Sequence, residues 1–266
     1  MRFTTWNVDK GLRLNQAPFL AEAAPDVVAL QEVSGRHRSF TTSSLEQLGL
    51  HHVLHAPKGD RGSVYGLVLA SRWPLVRVEP AEVGLDVVER VLCAILEAPG
   101  GSIEVTTVHV PPGMRKVAGR PDPSAKIQTF RALTEFYGRP TTTPRVLLGD
   151  FNTPQDELVD GAQTFFGNAH QRGVEEEFYR VASRQSLRDA FRSVHFTPGH
   201  GFGTPAVSWL NKGNRASSRP RRFDHVFASP ELRVVSTSYA DSDRIWSANV
   251  SDHLLLTVEL DVGAGE

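Results

Sequence analysis

Six short segments of this 266-residue chain place chemistry-bearing side chains where an apolar run ends. They are TTWNVDKG with Asn7 and Asp9, VALQEV with Glu32, TVHVPPG with His109, LLGDFNTP with Asp150 and Asn152, RRFDHVFAS with Asp224, and VSDHLLLTVEL with Asp252 and His253. A carboxylate at the end of a buried strand is costly to desolvate unless a cation, a donor or a substrate pairs it. Taken singly, each segment has an ordinary reading: Asp and Asn favour turns, Pro154 ends a ladder, and a lone histidine is often a satisfied structural residue. The joint set points further. Carboxylate and amide oxygens suit a hard cation such as Mg²⁺ or Mn²⁺, whereas the absence of paired cysteines and of a His-x-x-x-His helix argues against a structural or protease-like zinc site. An Asp-Asn pair with two histidines would complete a centre for phosphoryl transfer. Asp150 and Asn152, one residue apart, can face the same side and address one attacking water.

The elements that must position these groups are short. Apolar or alternating runs predict strands over residues 2–8, 27–33, 64–70, 91–96, 103–110, 146–148, 226–228 and 254–260. Helical patterns lie between them in APFLAEAA, in SAKIQTFRALTEFYG with Ser124 as N-cap and Gly138 at its end, and in EEEFYRVASRQ. Loop signals gather at residues 57–62, 111–123, 198–205 and 211–220. The mixture calls for an α/β arrangement in which helices cover sheets, built as a single domain over residues 1–266. No apolar stretch approaches the roughly 20 residues of a membrane helix, and no basic lead-in to a signal core opens the chain. The one cysteine, Cys93, lies in the apolar run VLCAIL and reads as a core residue, which fits a reducing cytoplasm. A net charge of -1 means that affinity for a polyanion must come from local patches.

TWNVDKG, LQEV, GDFNTP, FDHVFAS and SDH follow one another in an order that resembles the endonuclease/exonuclease/phosphatase superfamily, from Asn7 to His253. The resemblance implies a four-layer α/β/β/α sandwich, two packed mixed sheets flanked by helices, with the site at one end of the sheets. It makes Glu32 the principal ligand of Mg²⁺ (or Mn²⁺), with Asn7, Asp9 and Asp252 lining the metal and phosphate region. It assigns Asp150 to orienting or deprotonating water, Asn152 to holding the phosphate, His253 to contacting it with Asp224 on the far ring nitrogen, and His109 to hydrogen bonding a phosphate or leaving-group oxygen. Whether Asp150 or His253 is the base stays open. His109 is tyrosine in the abasic endonucleases of the family and histidine in deoxyribonuclease-like and tyrosyl-DNA phosphodiesterase-like members. Trp209 matches an aromatic position, while Arg221 stands where abasic endonucleases carry a second aromatic.

The expected activity is that of a metal-dependent phosphodiesterase on nucleic acid, with DNA as the expected substrate and the monomer as the expected state. Lys212, Arg215, Arg219, Arg221 and Arg222 crowd one Gly/Ser-rich loop ahead of Asp224, as a phosphate-tracking loop would, although a solvated basic surface has the same composition. The same fold and residues serve phosphatases and phospholipase C-type hydrolases acting on inositol phosphates, sphingomyelin or other small phosphoesters. A non-catalytic binding module would be expected to lack a catalytic position, and none of the main ones is missing.

Overall fold

The computed structural model describes residues 1–56, 65–79, 90–113, 116–117, 120–211 and 219–263. Among them, two six-stranded sheets pack face to face. The first contains β1 (Arg2–Asn7), β2 (Val27–Ser34), β3 (His52–His55), β4 (Tyr65–Ser71), β11 (Arg233–Tyr239) and β12 (Leu256–Asp261), in the order β11-β12-β1-β2-β4-β3. The second contains β5 (Leu75–Val78), β6 (Val91–Ala98), β7 (Gly101–His109), β8 (Arg145–Asp150), β9 (Arg188–Asp189) and β10 (Asp224–Ala228), in the order β9-β10-β8-β7-β6-β5. Each sheet has one parallel pair near its middle, β1 with β2 and β7 with β8, and is otherwise antiparallel.

Residue type sorts the chain into layers. Phe3, Ala29, Val105, Val146, Leu148 and Val226 face the opposing sheet and form the central core. The alternate positions, such as Leu147 and Phe227, point outward under helices α3 (Ser124–Tyr137) and α4 (Ala169–Arg184), where Phe130, Leu133 and Phe178 cover them. On the far side Trp6, Val28, Leu30 and Val68 lie beneath α1 (Ala17–Ala23), α2 (Arg38–Gln47) and α5 (Ser242–Ser247), capped by Leu20, Leu45 and Ile245. The result is the expected four-layer sandwich. Strands covered on both faces read as continuous apolar runs, which is why the central ones were visible in sequence. The edge strands β3 and β11 were not: HVLH and RVVSTSY leave much of their length at the surface and carry no such run.

Local signals needed some correction. Asp122, rather than Ser124, accepts the hydrogen bond from the first helical N–H of α3. Helix α4 starts at Ala169, six residues ahead of EEEFYRVASRQ, because Asn168 caps it by accepting from the Gln171 N–H. The segment 198–205 contains the turn between the short strands Phe196–Thr197 and Gly201–Phe202, and residues 57–62 lie outside the described residues. Cys93 is buried, and burial pushes its thiol up to about 12. Among the described residues no helix is long and apolar enough to cross a membrane.

Candidate active site

Strand register delivers the polar groups to one end of the sandwich. His109, Asp150 and Asp224 lie abreast on β7, β8 and β10, since Asp150 is paired with His109 on one side and with Asp224 on the other. Gly149 makes the approach possible: its φ is +145°, and a Cβ there would stand 2.1 Å from the Val108 carbonyl oxygen. In the first sheet Asn7 is level with Gln31, so Glu32 is the next residue outward. The β2–β4 pairing is interrupted between Leu30 and Val33, and Glu32 adopts φ +60°, which re-aims its side chain.

Asn7 joins the two sheets. Its Nδ2 donates to Glu32 Oε1 at 3.1 Å and to Asp150 Oδ2 at 3.0 Å. Asp150 Oδ1 accepts from the Asn152 N–H at 2.9 Å, and Asn152 Nδ2 donates to the Val110 carbonyl at 2.9 Å, fixing Asn152 in a left-handed conformation with φ +50°. His253 Nδ1 is 2.8 Å from Asp224 Oδ2, and its Nε2 looks toward Asp150 Oδ2 at 3.7 Å. His109 Nε2 is 3.7 Å from both Glu32 Oε1 and Asp150 Oδ2. Arg90 approaches the other ring nitrogen of His109 at 3.3 Å; a guanidinium only donates, so that nitrogen accepts and the ring proton sits on Nε2, facing the site.

The electrostatics separate these groups. Burial works against a charged His253, but Asp224 and then Asp150 outweigh it and hold the ring at about 10. Burial, with Arg90 and His253 adding to it, pushes His109 down to about 3, so this imidazole is neutral. Burial raises Asp150 to about 7 against the pull of His253. Burial also raises Glu32; hydrogen bonding to Asn7 and the charge of His253 oppose this, while Asp252 and Asp9 add to it. Asp9 is held by its N–H, which donates to Asn7 Oδ1 at 3.1 Å, and Asp252 is half-buried beside His253. Mutual repulsion among Glu32, Asp9 and Asp252 is what a divalent cation would relieve, and their oxygens are the donors that Mg²⁺ or Mn²⁺ prefers. The carboxylates of Asp150 and Asp224 and a nitrogen of His253 also lie within 4.8 Å of one another. Within that trio the Asp224 carboxylate is already engaged by His253 Nδ1 at 2.8 Å.

The basic loop divides. Lys212 and Arg215 lie outside the described residues. Arg219 is exposed and pairs with Asp156 at 3.1 Å. Arg221 donates to the Gln155 carbonyl and lies over the Phe166 ring at 4.8 Å. Arg222 departs from the substrate contact expected of it: only 2% of its side chain is exposed, and it bonds inward to Glu157 and Asp189. Alternation explains the split, because neighbouring residues of an extended segment face opposite ways. Trp209 is half-buried, its backbone bridging Arg221 and His253 and its ring 5.1 Å from Phe223.

Several supporting residues were not anticipated. Ser208 Oγ accepts from the N–H groups of Phe223 and Asp224, and Ser251 donates to the Asn7 carbonyl while accepting from the His253 N–H. Lys126, fully buried, donates to the Asn152 carbonyl at 2.9 Å and pairs with Glu175 at 3.1 Å. Its sequence signal was present: Lys126 shares a helical face with Phe130, Leu133 and Tyr137, where a cation needs a buried partner.

The sequence pattern described as the Endonuclease/Exonuclease/phosphatase family matches residues 4–253. The chain is 25% identical to exodeoxyribonuclease III of Haemophilus influenzae over 259 residues, covering 87% of this chain and 89% of that one. Its fold is similar to that of an AP endonuclease from Archaeoglobus fulgidus, with TM-score 0.72 and 21% identity over 98% of this chain and 99% of that one. It is also similar to the 3′ phosphatase NExo from Neisseria, in a structure bound to a product DNA hairpin, with TM-score 0.70 and 24% identity over 98% and 99%. With the family pattern spanning the six segments that build this end of the sandwich, the chain belongs to the Endonuclease/Exonuclease/phosphatase family and is a metal-dependent hydrolase of phosphoester bonds.

Proposed function

We propose that this chain is a single catalytic unit, monomeric, that hydrolyses phosphoester bonds in DNA with Mg²⁺ or Mn²⁺ as cofactor. The observation that carries the reading is the convergence on Asp150 Oδ2. Asn7 Nδ2 stands 3.0 Å away, Asn152 Nδ2 3.3 Å, and the Nε2 atoms of His109 and His253 3.7 Å each, so four side-chain nitrogens surround one carboxylate oxygen. A phosphate brought here meets a positive imidazolium, a neutral N–H donor and a carboxylate able to take a proton.

Asp150 is the base in this reading. It orients a water and takes its proton as the water oxygen attacks phosphorus; the bond to the leaving oxygen breaks with its electron pair, and that oxygen is protonated from solvent. His253, kept cationic by Asp224, and the Nε2–H of His109 stabilise the negative charge that grows on the phosphate oxygens. Glu32, with Asn7, Asp9 and Asp252, would hold the metal ion, which would add positive charge beside the reacting phosphate. Trp209 and the exposed Arg219 are proposed to meet the strand beyond the reacting phosphate. The names of the relatives, an exodeoxyribonuclease and a DNA-bound 3′ phosphatase, favour DNA over other phosphoesters.

The test is a substrate panel with Mg²⁺ or Mn²⁺: single- and double-stranded DNA, abasic duplex, DNA with a 3′-phosphate, RNA, an inositol phosphate and sphingomyelin. Metal-dependent turnover of a DNA substrate above the small phosphoesters is the expected result. Turnover of the small phosphoesters with DNA left intact would overturn the substrate reading.

A further inference from the structure

The Asp150–Asn152 turn is followed by Thr153, a fully buried residue whose carbonyl oxygen cannot reach water. It accepts from His225 Nε2 at 2.9 Å. The other ring nitrogen of His225, Nδ1, is 2.9 Å from Asp189 Oδ2. A carbonyl oxygen and a carboxylate are both acceptors only, so satisfying both contacts requires a proton on each ring nitrogen. The ring is fully buried, stacked on Phe227 at 5.7 Å and edge-on to Phe151 at 5.4 Å, which leaves it little freedom to turn away.

We infer that His225 is a positioning residue for the catalytic loop, a buried imidazolium that ties the Thr153 carbonyl to the Asp189 carboxylate and so holds Asn152 and Asp150 in register. His225 touches neither the metal-side carboxylates nor the space above Asp150; it acts through the backbone. Its location follows from strand alternation. On β10, Asp224 and Val226 face the opposing sheet, while His225 and Phe227 face the outer layer, beneath the turn that leaves β8. The charged groups around it are few. Asp189 also accepts from the Arg222 guanidinium and from the Arg192 N–H, and Arg222 and Arg192 share Glu157. Burial alone would raise the Asp189 carboxyl, but Arg222 and His225 hold it far below the usual range, so it remains an anion to which the imidazolium is bound. The neighbouring turn leans on this tether: Asn152 is left-handed, and its side chain and N–H are committed to Val110 and Asp150. A shift of Thr153 is therefore passed directly to the two residues proposed to address the water.

The inference has one test that needs no substrate. In ¹⁵N-histidine spectra of the wild-type protein at pH 7, the ring assigned to His225 by its loss in His225→Gln should show both nitrogens protonated. One bare nitrogen would overturn the inference. The kinetic test rests on the hydrolase reading above. His225→Phe keeps an aromatic ring on Phe227 but removes both donors, and should lower kcat on a DNA substrate roughly ten- to a hundredfold, the range for a slight misplacement of reacting groups, with KM changed much less. His225→Gln, whose amide can still donate to the Thr153 carbonyl, should recover part of that loss. Wild-type kcat in His225→Phe, or a fall shared equally by His225→Gln, would overturn the inference. If His225→Phe does not fold, His225→Gln and the spectra decide. A wild-type protein inert on DNA would count against the substrate reading alone, leaving the tether to be decided by the spectra.

Discussion

Arg222→Met separates a structural arginine from a substrate-binding one. The guanidinium is buried against Glu157 and Asp189 and lies 5.7 Å from the centroids of the Phe191 and Phe202 rings. Replacing it by an uncharged side chain of similar length leaves two carboxylates in a protein interior. Removing one member of a buried charge pair typically costs about 3–5 kcal/mol, because the remaining charge is left uncompensated. Here Glu157 keeps Arg192 at 2.5 Å and Asp189 keeps His225 at 2.9 Å, which places the expectation at the lower end, about 3 kcal/mol. For a chain of this size that corresponds to a fall in Tm of roughly 6–12 °C. Arg219→Ala is the control. Arg219 is 70% exposed and pairs with Asp156 at the surface, so its loss should leave Tm almost unchanged. On duplex DNA the two variants should exchange roles: Arg219→Ala should flatten the dependence of log affinity on log salt by up to about 0.9 if Arg219 meets a phosphate, and folded Arg222→Met should keep the wild-type slope. Thermal melts and salt-titrated DNA binding measure both. An Arg222→Met protein with unchanged Tm and a flattened salt slope would refute the reasoning and return Arg222 to the phosphate-tracking loop.

Other outcomes follow from the same geometry. Glu32→Gln should weaken the response to Mg²⁺ and be partly rescued by excess metal in activity titrations; an unchanged metal dependence would remove Glu32 from the ligand set. Asp150→Asn should lower kcat by roughly a hundredfold or more, as expected for loss of a positioned base, while circular dichroism shows the fold intact. Because burial raises Asp150 to about 7 and only its ionised form accepts a proton, kcat/KM should climb as pH rises toward that value and level above it, the limb moving to lower pH when a bound cation favours the carboxylate. A profile flat from pH 5 to 8 would argue against Asp150 as base. Trp209→Ala should raise KM for DNA more than it lowers kcat, since Trp209 meets His253 through the backbone while its ring packs on Phe223; an equal fall in kcat would place Trp209 among the reacting groups.

The amino-acid sequence by itself called for helices covering sheets and marked the polar groups where apolar runs stop, while the four layers and the residue roles were expected from the family resemblance. Val146, Leu147 and Leu148 are apolar on consecutive positions because both faces of β8 are covered, and Asp150 ends that run because β8 reaches the open end of the sandwich there. His109 and Asp224 are legible for the same reason, each being a polar group at a strand end, and Glu32 and His253 because each interrupts or borders an apolar run that local sequence shows. What local sequence does not contain is distance. Asn7 and Asp150 are separated by 143 positions, and only the packing of one sheet on the other brings Asn7 Nδ2 within 3.0 Å of Asp150. The same holds for His225 and Thr153, separated by 72 positions, and for Lys126 and Asn152, separated by 26. Arg221 and Arg222 are adjacent and chemically identical, yet one lies on an aromatic ring near the surface and the other is sealed among carboxylates, because extended backbone turns successive side chains to opposite faces. Composition marked that loop as basic. Which of its charges are free to meet a phosphate was decided by the side of the chain on which Glu157 and Asp189 were waiting.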